Sequence, residues 1–122
     1  MSFFEVNSKT PKGQQKVALV DIDETICAYG IKRRYDLAIP IRKNINKINK
    51  LHKEGWKIIY WTARGSGKRE QKSGIDFYTF TYNQLNSWNC LFDELITGSC
   101  KRHAKLHFDL IIDDKAKRIE EI

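Results

Sequence analysis

The residues best suited to catalysis follow a short apolar run near the amino terminus. Residues 17–20 are all apolar, and Asp21, Asp23 and Thr25 come directly after them. Such a run predicts a buried strand of a parallel sheet, and the carboxyl end of such a strand is where open α/β sheets bind ligands. A carboxylate placed there can act as a nucleophile, as a general acid or base, or as a metal ligand, although most acids after a core strand are only solvated.

Other polar residues flank later apolar runs and could join these acids: Thr62, Arg64, Lys105, Asp113 and Asp114. If the strands are parallel, Asp21, Asp23, Thr62 and the Asp113-Asp114 pair all emerge at one edge of the sheet, with Lys105 just before the fourth strand. Carboxylates packed together repel one another unless they share a cation, so the cluster predicts a hard divalent metal, Mg²⁺. The Lys105 ammonium and the Thr62 hydroxyl would then supply a positive charge and a hydrogen-bond donor for a phosphoryl group.

The elements that must position these residues alternate along the chain. One helix has apolar residues three or four positions apart, at Ile41, Ile45, Ile48 and Leu51. This spacing predicts a helix that starts at Pro40 and closes at Gly55. Strands are predicted at 17–20, 56–61, 92–97 and 108–112, with a second helix, capped by Asp76, through Trp88. The segments between them are polar: a loop or small hairpin at 26–39, basic loops at 66–74 and 98–105, and a short helix or frayed tail at 115–122.

Strands that alternate with helices predict an α/β fold class. We expect a three-layer, Rossmann-like parallel sheet of about four or five strands with helices on both faces. A chain of 122 residues fits a single domain, residues 1–122, with a loosely ordered leader at 1–15. The intervals 26–39 and 62–105 are too short or too full of predicted elements to hold a cap domain.

The composition limits the partners and the compartment. Lys and Arg exceed Asp and Glu by 22 to 15, a net charge of +7 that favours anionic partners. Cys27, Cys90 and Cys100 show neither a disulfide framework nor a zinc spacing, so a reducing cytoplasm is expected. No apolar run approaches membrane-spanning length, which predicts a soluble protein with no membrane partner. Phe3 and Phe4 could pack on a second copy as easily as on their own core, so a homo-oligomer stays open.

The order of the motifs resembles one enzyme family across most of the chain. DIDET, then WTAR, then a Lys eight residues before the first Asp of IDD, is an order of motifs similar to that of the haloacid dehalogenase (HAD) superfamily, and in particular of its small, capless, phosphatase-like members. The resemblance implies an Mg²⁺-dependent phosphohydrolase that works through an aspartyl phosphate. Carried over by position, Asp21 is the nucleophile, and Asp23 is the general acid and base, which also binds the metal through its backbone carbonyl.

The resemblance assigns the remaining motif residues as well. Thr25 orients the turn after the strand, and Thr62 and Lys105 hold the phosphoryl group. Asp113 and Asp114 complete the metal site, and Asp114 matches the direct ligand best. Two positions depart from the family pattern, because Glu24 replaces the commoner Gly and Leu106 replaces Pro. Lys101 competes with Lys105 for the phosphate, but Lys105 has the better spacing to Asp113.

The substrate stays open between a sugar phosphate, a nucleotide and a nucleic-acid terminal phosphate. A small molecule is favoured over nucleic acid, and Arg33, Arg34 and Arg64 could form a basic rim around the phosphate. A receiver-like domain has the wrong motif order. Two alternatives remain: a weakly active or inactive HAD-like protein that binds metal and phosphate, and a basic nucleic-acid-binding module, which would leave the carboxylates unexplained.

Overall fold

The protein is represented by a computed structural model that describes residues 2–5, 13–98 and 108–113. Seven strands are present among them: β1 Ser2–Glu5, β2 Val17–Asp21, β3 Cys27–Ala28, β4 Ile39–Pro40, β5 Lys57–Trp61, β6 Glu94–Ile96 and β7 Leu110–Asp113. The helices are α1 Arg42–Lys53, α2 Lys68–Lys72 and α3 Phe77–Ser87, with one turn of 3₁₀ helix at Tyr35–Leu37.

Five of the strands form one sheet in the order β1-β7-β2-β5-β6. The four strands β7, β2, β5 and β6 are mutually parallel, whereas β1 pairs antiparallel to β7. Asp21 lies opposite Trp61, and Val20 lies opposite Ile112. The parallel strands therefore end together at one edge, as the α/β, Rossmann-like prediction requires.

The core lies between the helices and one face of this sheet. Along β2 the buried residues alternate, and Ala18 and Val20 are fully buried. They share one hydrophobic cluster with Ile45 and Ile48 of α1 and with Leu85 of α3. Both long helices thus cover the same face of the sheet.

The two long helices form for the reasons that their sequences suggest. Helix α1 starts at Arg42, two residues after the start predicted at Pro40. Pro40 instead belongs to β4, where it pairs with Cys27 of β3. It ends just before Gly55, whose φ of +100° suits a residue without a side chain. Helix α3 is capped as predicted, since the Asp76 carboxylate accepts a hydrogen bond from the Thr79 amide at 3.0 Å.

Two predictions about loops are wrong, and one is confirmed. Residues 2–5, expected in a loose leader, form β1, because the outer edge of β7 offers backbone groups that an extended chain can pair with. The segment 66–74, expected as a loop, contains the short helix α2. The segment 26–39 is a small hairpin, since β3 pairs with β4. The predicted basic loop after Gly98 and the tail at 115–122 lie outside the described residues.

Only small elements stand between the described strands. The hairpin β3–β4 separates β2 from α1, and α2 and α3 separate β5 from β6. Within the part of the chain that the structure describes, neither interval holds an inserted cap. In the same part, no helix is both long and apolar enough to cross a membrane.

Candidate active site

A pocket of about 400 Å³ opens at the carboxyl ends of β2, β5 and β7. It is lined by Asp21, Asp23, Glu24, Arg33, Tyr35, Trp61, Thr62, Ala63, Arg64 and Asp113. We call it the carboxylate pocket. The structure therefore brings together residues from three separate motifs, as the sequence predicts. Of the other predicted site residues, Arg34 is described but does not line this pocket, and Lys105 and Asp114 lie outside the described residues.

Asp21 ends β2 at the mouth of this pocket. One of its oxygens accepts a hydrogen bond from the Ile22 amide at 3.0 Å, which fixes the direction of the carboxylate. Val20 pairs with Ile112, so Asp113 occupies the next position along the neighbouring strand. Adjacent strands are about 4.8 Å apart, which makes Asp21 and Asp113 close neighbours.

These groups suit a small hard cation even though they are few. Within residues 2–5, 13–98 and 108–113, no three His, Cys, Asp or Glu side chains cluster as a metal-binding group. Mg²⁺ needs fewer protein ligands than this, because it commonly uses one or two carboxylates and completes its shell with water and substrate phosphate. Asp21 and Asp113, next to each other at the ends of β2 and β7, are two carboxylates that could hold such an ion.

The carboxylate of Asp23 is held by three neighbouring side chains. Thr62 donates to one oxygen at 2.9 Å, Tyr29 donates a short hydrogen bond to the other, and the Arg64 guanidinium donates to both. Burial raises the pKa of the Asp23 carboxyl, but the hydrogen bonds and charge of Arg64, with those from Tyr29 and Thr62, outweigh it and hold the pKa below its usual value. Asp23 is therefore ionised at neutral pH in this conformation.

Arg64 is the most deeply buried charge near the site. Its side chain is 0% exposed, and it forms an ion pair with Asp23 at 2.8 Å. It also donates to Gln84 at 2.6 Å and to Tyr29 at 3.2 Å, and its guanidinium lies 4.6 Å from the ring centre of Tyr35. We predicted that Arg64 binds substrate. Because its guanidinium already donates to Asp23, Gln84 and Tyr29, it is placed to orient Asp23 instead.

Thr62 is also directed toward Asp23. Its hydroxyl donates to that carboxylate and accepts from the Arg64 amide at 3.2 Å. The residue is buried, with 2% exposure. The predicted contact between this hydroxyl and a phosphoryl group would thus require it to leave Asp23.

The rim of the pocket contains Glu24 and Arg33. Glu24 has a φ of +67°, in the left-handed region that favours glycine. Its carboxylate pairs with Arg33 at 2.7 Å, and the Arg33 guanidinium lies over the Tyr29 ring. Arg34, the other predicted rim residue, pairs with Asp36 and does not line this pocket.

Sequence reasoning missed the side chains that hold Asp23 and Arg64 in place. Tyr29 lies six residues after Asp23, a spacing that carries no pattern of its own. Gln84, together with Thr81, is a polar residue on the inner face of α3, and Arg64 bonds to both. The presence of Thr81 and Gln84 on an otherwise apolar face of α3 was the sequence signal that could have indicated a buried polar partner for this helix.

Cys27 lies beside Asp23 but has no chemical role that the structure supports. Burial raises the pKa of its thiol to about 12, so it stays protonated at neutral pH.

Comparison with solved structures finds the same fold in another protein. A crystallised target protein from Vibrio cholerae is similar at a TM-score of 0.60 and 23% identity, over 83% of this chain and 81% of that chain. No family model and no curated protein matches the sequence. The comparisons therefore show a shared α/β fold, while the family and the activity are proposals.

Proposed function

We propose that this chain is a capless member of the HAD superfamily that hydrolyses phosphomonoesters with Mg²⁺. The observation that carries the proposal is the meeting of Asp21, Asp23, Thr62 and Asp113 in one pocket at the ends of parallel strands. These four come from three motifs that are far apart in the chain. A cluster of carboxylates at this edge suits covalent phosphoryl transfer better than it suits binding a polyanion.

The first step forms a covalent intermediate on Asp21. A carboxylate oxygen of Asp21 attacks phosphorus, the bond between phosphorus and the ester oxygen breaks with its electron pair on that oxygen, and the leaving oxygen takes a proton from solvent water. The hydrogen bond from the Ile22 amide to Asp21 Oδ1 orients the attacking group. Mg²⁺, when bound by Asp21, Asp113 and the Asp23 carbonyl, offsets the phosphoryl charge that would repel this carboxylate.

The second step uses Asp23 as a base. It takes a proton from water, the water oxygen attacks phosphorus, and the bond between phosphorus and Asp21 breaks to release phosphate. The ionised state in which Arg64 holds Asp23 is the state required for this step. Asp23 is less suited to protonating a leaving oxygen, so esters with good leaving groups should react fastest.

A colorimetric assay tests the activity directly. We expect wild-type protein to release 4-nitrophenol from 4-nitrophenyl phosphate with Mg²⁺ and to lose this activity in excess EDTA. Asp21→Asn should abolish turnover. Asp76→Asn is the matched control, because it also removes one carboxylate but keeps the α3 cap and lies outside the carboxylate pocket. If wild type and Asp21→Asn release phosphate equally slowly, the catalytic proposal fails.

A second candidate is a protein of the same fold that binds metal and phosphate without turnover. The ion pair between Asp23 and Arg64 favours it, because the expected proton donor carries no proton. Calorimetry would then show binding of Mg²⁺ and inorganic phosphate in a protein with no esterase activity. The basic nucleic-acid module is less favoured, since Arg33 and Arg34 are each paired with an acid.

The remaining expectations belong to the same proposal. The partner is a phosphorylated substrate, with a small molecule favoured over nucleic acid. A cytoplasmic location stays a prediction from the cysteine content. A homo-oligomer stays a prediction from Phe3 and Phe4.

A further inference from the structure

A second pocket, of about 470 Å³, lies beside the carboxylate pocket. It is lined by Arg33, Arg34, Tyr35, Asp36, Ile75, Phe77 and Phe80. We call it the aromatic pocket. Its volume falls within the roughly 300–1,000 Å³ of small-molecule sites, which combine apolar walls with a few polar groups.

The walls of the aromatic pocket are rings held in place by the fold. Phe77 starts α3 and is nearly buried, and its ring meets the Tyr35 ring edge to face at 6.0 Å. The Tyr35 hydroxyl lies 3.3 Å from a Glu70 oxygen, and its carbonyl accepts from Gln84 at 2.7 Å. Ile75 stands at the rim and is 57% exposed. The pocket is thus preorganised for a flat apolar group.

The two pockets are neighbours that share a wall. Arg33 and Tyr35 line both of them, so a molecule that binds its phosphate at Asp21 and reaches over these two side chains places the group attached to the phosphate in the aromatic pocket.

The charges at the rim select against a polyanion. Arg33 pairs with Glu24, and Arg34 pairs with Asp36 through two hydrogen bonds at 2.7 and 3.1 Å. Each pair has no net charge, but its side chains place hydrogen-bond donors and acceptors around the apolar surface formed by Phe77 and Phe80. A planar ring with polar edges matches this combination, whereas a sugar phosphate has no flat apolar face of that size.

We propose that the aromatic pocket binds the nucleoside of a nucleoside monophosphate, with the base against Phe77, Phe80 and Tyr35. This inference rests on the proposed phosphatase function, because it places the phosphate at Asp21. It selects the nucleotide from the three substrate classes that the sequence leaves open.

Turnover measurements test the selectivity. We expect kcat/KM for AMP or UMP to exceed that for glycerol 3-phosphate, which is too small to fill the aromatic pocket. Ile75→Asp should lower the preference by about tenfold, because it places an unpaired charge where the base would pack. Ile39→Asp is the matched control, since Ile39 is 61% exposed and lines neither pocket. Equal kcat/KM for the three esters would overturn the inference and leave the phosphatase proposal intact.

A binding measurement separates the two proposals. Adenosine and uridine carry no phosphate, so saturation-transfer NMR with these nucleosides reports on the aromatic pocket alone. We expect signal transfer to at least one of them in wild type, Asp21→Asn and Ile39→Asp, and loss of the signal in Ile75→Asp. This pattern supports the inference even if no ester is hydrolysed, whereas absence of binding by both nucleosides overturns it. A strong preference for an oligonucleotide 3'-phosphate, lost at high salt, would also overturn it.

Discussion

Removing the guanidinium of Arg64 should destabilise the protein more than removing any exposed arginine. Arg64 is fully buried and forms an ion pair with Asp23, whose side chain is 20% exposed. Truncating one partner of a buried pair commonly costs about 3–5 kcal/mol, because the other charge is left unpaired. Thr62 and Tyr29 would still donate to Asp23. We therefore expect Arg64→Met to lower the free energy of unfolding by about 3 kcal/mol, at the lower end of that range.

Urea unfolding followed by circular dichroism measures this change. Arg33→Met is the control, because it breaks an exposed ion pair with side chains 65% and 39% exposed, and such pairs contribute at most about 1 kcal/mol. A double-mutant cycle with Asp23→Asn isolates the interaction between the two residues. Removing the charge at Asp23 should recover part of the loss, with a coupling of about 2 kcal/mol.

The stability lost in Arg64→Met should decrease as the pH is lowered. The pKa of Asp23 is lowered in the folded protein, so its interactions contribute fully above the unfolded pKa of 3.8 and are lost as pH falls through the folded pKa. In Arg64→Met the largest lowering influence is gone, and burial then raises the pKa of Asp23. The stability difference between wild type and variant should therefore be full at pH 7, start to shrink as pH falls through the raised pKa of Asp23 in the variant, and go on shrinking until pH has passed the lowered pKa of Asp23 in wild type. A loss under about 1 kcal/mol, or a loss that does not change with pH, would refute the reasoning.

Three further predictions concern the backbone of the motif, the neighbour of Asp23 and the α3 cap. Glu24→Gly should be about 1 kcal/mol more stable to urea than Glu24→Ala, because both lose the Arg33 pair and only Gly suits a φ of +67°; equal stability would contradict this. Tyr29→Phe removes a hydrogen bond that lowers the pKa of Asp23, so the acid limb of the kcat profile should move to higher pH, and an unmoved limb would count against Asp23 as the base. Asp76→Ala should cost about 1 kcal/mol in thermal unfolding while Asp76→Asn costs little, and similar losses in both would argue against the cap.

The strands and their common edge were predictable because local patterns determine them. The apolar runs before Asp21 and Thr62 mark buried strands, and the chain between them has the period of a helix. Parallel pairing then places the ends of both strands together, and Asp21 lies opposite Trp61 as expected. The strand at 2–5 could not be predicted in this way, since it depends on β7, more than a hundred residues later in the chain, leaving an open edge.

The contacts of the site were less predictable than its position. The WTAR motif at 61–64 places Arg64 near Asp23, but the direction of the Arg64 side chain depends on Tyr29 and Gln84, which lie 35 and 20 residues away in sequence. No local pattern reports such a contact. The positive φ of Glu24 likewise could not be predicted, because no neighbouring residue marks a left-handed backbone at a position held by Glu.

The most direct test of the central claim is detection of a phosphoryl group on Asp21. Wild-type protein is mixed with Mg²⁺ and excess 4-nitrophenyl phosphate, quenched in acid after one turnover, and analysed by peptide mass spectrometry. The Asp23→Asn variant is treated in the same way, because loss of the base should make the intermediate accumulate. We predict a phosphorylated Asp21 peptide that forms only with Mg²⁺ and is more abundant in Asp23→Asn. Turnover with no phosphorylated peptide in either protein, or with the phosphoryl group on another residue, would contradict the account.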